Sequence, residues 1–76
     1  MPVPIDKKAY YMMRFQKGTI IELTEPIYDQ YSPKPKGARF EVDYVDDALQ
    51  LHGHWLAPES GSLAVIIEKD MFKVIS

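Results

Sequence analysis

From Thr19 onward, apolar and polar residues alternate in short runs broken by proline, glycine and aspartate. A period of two sends successive side chains to opposite faces of a strand, so a chain patterned this way forms a sheet with one face buried and one face wet. The clearest run is ARFEVDYV (38–45), with Phe40, Val42 and Tyr44 on one side and Arg39, Glu41 and Asp43 on the other. Asp46, Asp47 and Ala48 supply turn chemistry; Leu49, Leu51, Gly53 and Trp55 then face one way and Gln50, His52 and His54 the other, which predicts a hairpin. TIIELT (19–24), SLAVII (62–67) and MFKVI (71–75) predict further strands, set apart by turns at 57–61 and 68–70. About five short antiparallel strands at this spacing predict a small barrel or sandwich, and closure would remove exposed edges.

Ahead of the sheet, Asp6 is a good N-cap for KKAYYMMRFQ, and Gly18 stands where a helix C-terminus would place a glycine. This predicts a short helix over about 7–16 with an apolar stripe of Ala9, Tyr10, Met12, Met13 and Phe15, the methionines filling core. The paired tyrosines and the brevity of the segment keep an edge strand open as the alternative. Between the first two strands, EPIYDQYSPKPKG (25–37) holds three prolines and a glycine, which predicts a long, semi-rigid loop unable to join a ladder. The whole chain reads as a single domain, residues 1–76, with the barrel over about 19–75.

A hydrophobic content of 46% with 26% charged residues belongs to a globular domain and not to a disordered tail. The absence of cysteine removes disulfides and thiolate metal sites and favours a reducing interior. MPVPIDKKAY lacks the basic and apolar regions of a signal peptide, and no apolar run approaches a membrane span, so the expected location is cytoplasmic. The net charge of −2 is polar along the chain: residues 1–39 carry seven basic side chains against four acidic, and residues 40–76 two against seven.

Few residues suggest chemistry. His52 and His54, two apart on one strand face, would need a third ligand such as Asp43 to hold a metal, and solvated surface histidines are the plainer reading. Ser60 and Ser62 sit in a glycine turn without the surroundings of a nucleophile, and Asp46 and Asp47 are better suited to bonding their own turn backbone than to acid/base work. Gly18, Gly37, Gly53 and Gly61 are scattered singly and make no phosphate loop. The sequence predicts no enzyme, no metal and no cofactor.

Several short stretches in order resemble a known family. FQKGTIIEL (15–23) is similar to an aromatic-x-Lys-Gly-Thr-x-Val-Glu-Leu opening, and Pro35-Lys36-Gly37 to a proline and glycine turn. Val45-Asp46-Asp47, His52 with Trp55, Gly61-Ser62-Leu63 and Asp70 with Phe72 follow like a Val-Asp-Asp turn, a His-x-x-Trp strand, a Gly-x-x-Leu turn and a closing Asp-x-Phe. The chain thus resembles the domain-of-unknown-function family 4314, small proteins of phages and other mobile elements, over about residues 15–75. The resemblance implies a Src-homology-3-like β barrel and a mobile-element origin, and it implies no activity. Ile27-Tyr28-Asp29-Gln30-Tyr31 also looks like the Ala-Leu-Tyr-Asp-Tyr signature of true Src-homology-3 domains. There the signature precedes the first Lys-Gly-Asp-type turn, whereas Lys17-Gly18-Thr19 comes first here, so a proline-peptide groove does not follow.

The long loop carries the binding expectation. Tyr28 and Tyr31 lie among prolines that lower the entropy of ordering, and Lys34, Lys36 and Arg39 follow. Exposed, these five residues would grip a protein partner or stack bases and neutralise phosphates. The alternative is that the tyrosines fold back as a lid over one mouth of the barrel. The favoured expectation is a non-enzymatic protein-interaction module, accessory or host-defence-inhibiting. A nucleic-acid-binding barrel that also uses Lys7, Lys8, Arg14 and Lys17, and a homo-oligomer sealed through an edge strand, are the other two.

Overall fold

In the computed structural model, which describes residues 6–76, the Asp6 side chain accepts from the Lys8 N–H at 3.0 Å and opens helix α1 (Lys7–Arg14). The helix ends sooner than the sequence suggests. Phe15 leaves helical geometry at φ −118°, ψ 71° and is buried, while Gly18, at φ +92°, makes the turn into the first strand and donates its N–H to the Val42 carbonyl at 2.8 Å. The edge-strand alternative is thereby excluded. The expected stripe is corrected as well: no residue within the helix is buried, and Tyr10, Met12 and Met13 are exposed. The rotation of so short a helix is set by one i, i+4 aromatic pair, Tyr11 and Phe15, whose rings stack at 6.0 Å, with Phe15 edge-on to Phe72 at 5.6 Å.

Five strands follow: β1 (Ile20–Leu23), β2 (Arg39–Val45), β3 (Gln50–Trp55), β4 (Val65–Ile66) and β5 (Phe72–Val74). They form one antiparallel sheet in the order β4-β3-β2-β1-β5. The chain is therefore mainly β, as expected, but the sheet is not closed as a barrel, because β4 and β5 lie at opposite edges and do not pair with each other. The cause is local. Ile66 directs its N–H to Asp70 Oδ2 (2.8 Å) and its carbonyl to the Lys69 and Asp70 N–H groups (3.1 and 2.8 Å), so the backbone groups a closing ladder would need are held in a turn. The expected strand 62–67 shrinks to two residues, with the Leu63 carbonyl taken by Trp55 Nε1 at 3.0 Å. A flat five-stranded sheet would separate its edges by about 19 Å. The Asp70 N–H bond back to the Ile66 carbonyl folds the link from Ile66 to Phe72 well short of its extended reach, so the sheet must curl for that link to join its two edges.

The inner face of the curl holds Ile21, Leu23, Phe40, Val42, Leu51 and Val65, all essentially without solvent contact, and Trp55 edge-on to Phe40 at 5.0 Å. One alternation breaks. A register shift between Val42 and Tyr44 inserts an extra residue opposite β3, which turns Tyr44 out to 54% exposure and brings Val45 into the core. Tyr44, expected inside with Phe40 and Val42, instead stacks on His52 on the outer face at 4.8 Å and 8°. Among the described residues, no helix is long and apolar enough to cross a membrane.

The β2–β3 turn is organised by Asp46. Its Oδ1 accepts from the Ala48 and Gln50 N–H groups (2.9 and 2.8 Å), and Oδ2 accepts from His52 Nε2 at 2.7 Å, while Leu49 adopts φ 58°. The His52 bond foremost, and then the Gln50 N–H, hold the Asp46 carboxyl below the ordinary carboxylate range. A carboxylate depressed in the folded state stabilises above its unfolded pKa, and that contribution is lost as pH falls through the folded value. Asp46→Asn is therefore expected to lower the urea midpoint at pH 7 and to flatten its fall below about pH 4. Midpoints of both proteins at pH 7 and pH 3 check this, since equal acid losses would place the acid-sensitive group elsewhere.

Candidate partner-binding hairpin

The proline-rich connection between β1 and β2 does pair, against expectation. Ile27 and Lys34 form an isolated antiparallel bridge with both backbone bonds made, at 2.9 and 3.0 Å. Pro26, Pro33 and Pro35 flank the two bonded residues without occupying their donor positions, so their missing N–H groups cost the bridge nothing. Between the bridge partners, Asp29 Oδ2 accepts from the Tyr31 and Ser32 N–H groups at 2.9 and 2.8 Å and ties the tip into a turn. At the foot, Gly37, at φ +90°, donates to the Leu23 carbonyl and returns the chain to β2.

Tyr28 and Tyr31 stand on this tip at 89% and 87% exposure. They are not a lid over the core. Lys34 contradicts the idea of a basic cluster beside them: it is only 6% exposed, with Nζ donating to Ser32 Oγ (3.0 Å) and the Ser60 carbonyl (2.9 Å) and lying 5.6 Å from the centre of the Trp55 ring. The ammonium thus joins the hairpin to the β3–β4 connection and presents no charge to a partner. Lys36 is exposed, and Arg39 is exposed but paired through Nε with Glu22 Oε2 at 3.3 Å. Both border a depression against Leu56 and Pro58, whereas Tyr28 borders others, so the five expected residues do not gather into one patch.

The remaining cations nominated for phosphate contact are also engaged. Lys7 pairs with Glu68 at 3.1 Å, Lys8 with Asp47, and Lys17 with Asp43 at 3.7 Å, while the Arg14 guanidinium lies 5.5 Å from the centre of the Phe15 ring. Glu68 also accepts from the Tyr11 hydroxyl at 3.1 Å, and the Lys7 bond foremost keeps its carboxyl below the usual range. His52 is committed to Asp46 and Tyr44, and His54 Nε2 lies 3.9 Å from Glu41 Oε1. Among the described residues, no three His, Cys, Asp or Glu side chains come together as a metal site. What the sequence pattern did not reveal is that Leu63, Ile66 and Met71, expected as strand residues, face Tyr28 across a groove. The only hint was the Glu68-Lys69-Asp70 turn, of which Lys69 and Asp70 line the same groove.

A family model described as Domain of unknown function (DUF4314) matches residues 9–75. No curated protein and no solved structure shows a significant match to the chain.

Proposed function

The chain belongs to the DUF4314 family, and we propose that it is a non-enzymatic protein-interaction module that presents Tyr28 and Tyr31 to a protein partner. The observation that carries this reading is the exposure of both rings on a tip whose backbone is already bonded. Tyrosines bury large, stiff, amphipathic surface, and a preformed tip lowers the entropy lost on binding. Two further parts of the reading are proposed with it. The strand order and the short β4–β5 link support a Src-homology-3-like curl, and the resemblance to phage and mobile-element proteins supports an accessory or host-defence-inhibiting role in the cytoplasm of a host cell.

A protein partner is favoured over nucleic acid on charge. Of the nine lysines and arginines, Lys7, Lys8, Lys17 and Arg39 already hold an acidic partner and Lys34 is buried, and the chain carries a net charge of −2, which opposes exchange for phosphate. The test is a pull-down from host-cell lysate with the native chain and with Tyr28, Tyr31 and Lys36 replaced together by alanine. Specific recovery is expected to drop about tenfold or more in the variant, because hot-spot aromatics each contribute upward of about 1 kcal/mol. Unchanged recovery would clear the hairpin of a role. Retention of nucleic acid that weakens steeply with added salt would select the other reading.

A further inference from the structure

Among the described residues, Glu25, Asp29 and Asp70 are three of the five acidic side chains without a cationic partner, and all three border the groove beside Tyr28. The floor of that groove is apolar: Ile27, Leu63, Ile66 and the 60% exposed Met71, running between the hairpin and the β4–β5 turn. Asp29 and Asp70 each commit one oxygen, Oδ2, to turn N–H groups, and their Oδ1 atoms have no hydrogen-bond partner among the described residues. Lys69 is the one cation of the lining. Acids elsewhere on the sheet and helix are mostly matched by lysine, arginine or histidine, so the unmatched negative charge converges on an apolar trough with an exposed aromatic wall.

We infer that this groove docks an extended segment of a protein partner bearing aliphatic side chains flanked by lysine or arginine. The inference rests on the reading of the chain as a protein-interaction module and supplies the chemistry of what it grips. Aliphatic side chains cover the Ile27, Leu63 and Met71 surface, and flanking cations meet the Glu25 carboxylate and the two Oδ1 atoms. A phosphate-bearing ligand is repelled by the same three carboxylates.

The test selects binders to the full chain from a displayed library of random twelve-residue peptides and maps the winners by amide chemical shifts. Enriched peptides are expected to be basic and aliphatic, to perturb Ile27, Leu63 and Ala64, and to bind more weakly as salt rises. The double variant Glu25→Lys with Met71→Lys, both at exposed positions, is expected to weaken them about tenfold. Glu25→Gln with native Met71 separates charge from surface, and should lower affinity less and reduce the salt dependence in part, since Asp29 and Asp70 keep their charge. Acidic winners, winners that shift only Tyr31, Lys36 and Arg39, or no enrichment at all would overturn the groove assignment. None of those results decides the broader reading, which stands or falls on the pull-down with the hairpin variant.

Discussion

Gly53→Ala is expected to abolish cooperative folding or leave the chain mostly unfolded at room temperature. Gly53 pairs with Val42 across β2 and β3, and a Cβ built on it would sit 2.0 Å from the Glu41 carbonyl oxygen, 3.0 Å from the Glu41 carbonyl carbon and 3.1 Å from the Asp43 nitrogen. All three are backbone atoms, so no side chain can rotate away. Relief requires β2 and β3, which meet through the longest register in the sheet, to move apart beside the bulge. Inserting bulk where nothing can yield costs about 3 kcal/mol or more. A domain of this size holds roughly 4–11 kcal/mol in total. Circular dichroism melts decide the matter, with Gly61→Ala as the contrast. Gly61 has open space around it and only its φ of +95° to oppose a side chain, so its variant should still melt cooperatively. A Gly53→Ala melt close to native would show that the strands do not approach as described.

Phe40→Ala is the second severe change. Phe40 is fully enclosed, pairs with Ile21 on one side and Trp55 on the other, and meets the indole edge-on at 5.0 Å. Truncation removes the ring and leaves a cavity that a strongly curled sheet cannot collapse to fill, a loss of about 3–5 kcal/mol. Its consequence should extend beyond stability. Trp55 carries the ring over which the Lys34 ammonium lies, so a displaced indole loosens the foot of the hairpin as well. Urea unfolding followed by tryptophan fluorescence is expected to show a much lower midpoint with a red-shifted folded baseline. A shift of less than about 1 kcal/mol would mean that the core is not centred on this pair.

These two sites also show how far the sequence could be read. Period-two alternation located β1, β2, β3 and most of the core, since burying one face of a sheet imposes that pattern regardless of partner strands, and turn residues bracketed β4 and β5. Where one residue broke the parity, at the bulge after Val42, the reading placed Tyr44 on the wrong face, because nothing in ARFEVDYV marks the insertion. Closure failed for a similar reason. The Asp70 side chain captures Ile66 through a contact with no periodic signature, and the expected barrel is an open curled sheet.

The hairpin was half legible. Prolines and tyrosines in 25–37 marked a stiff loop, and both rings are indeed exposed. Lys34 was misread because a lysine is almost never buried without an acidic partner, yet here Ser32 Oγ, the Ser60 carbonyl and an indole face take the place of one. Two of those three, Ser60 and Trp55, lie more than twenty positions away, which a local pattern cannot register.

Residues 27–34 form a preformed, solvent-facing tip and not a floppy loop. Backbone ¹⁵N relaxation tests it most directly. Order parameters of about 0.85 from Tyr28 to Ser32, matching β2 and β3, are predicted together with tyrosine rings open to a soluble paramagnetic probe. Values below about 0.6 across those residues, or rings shielded from the probe, would contradict it.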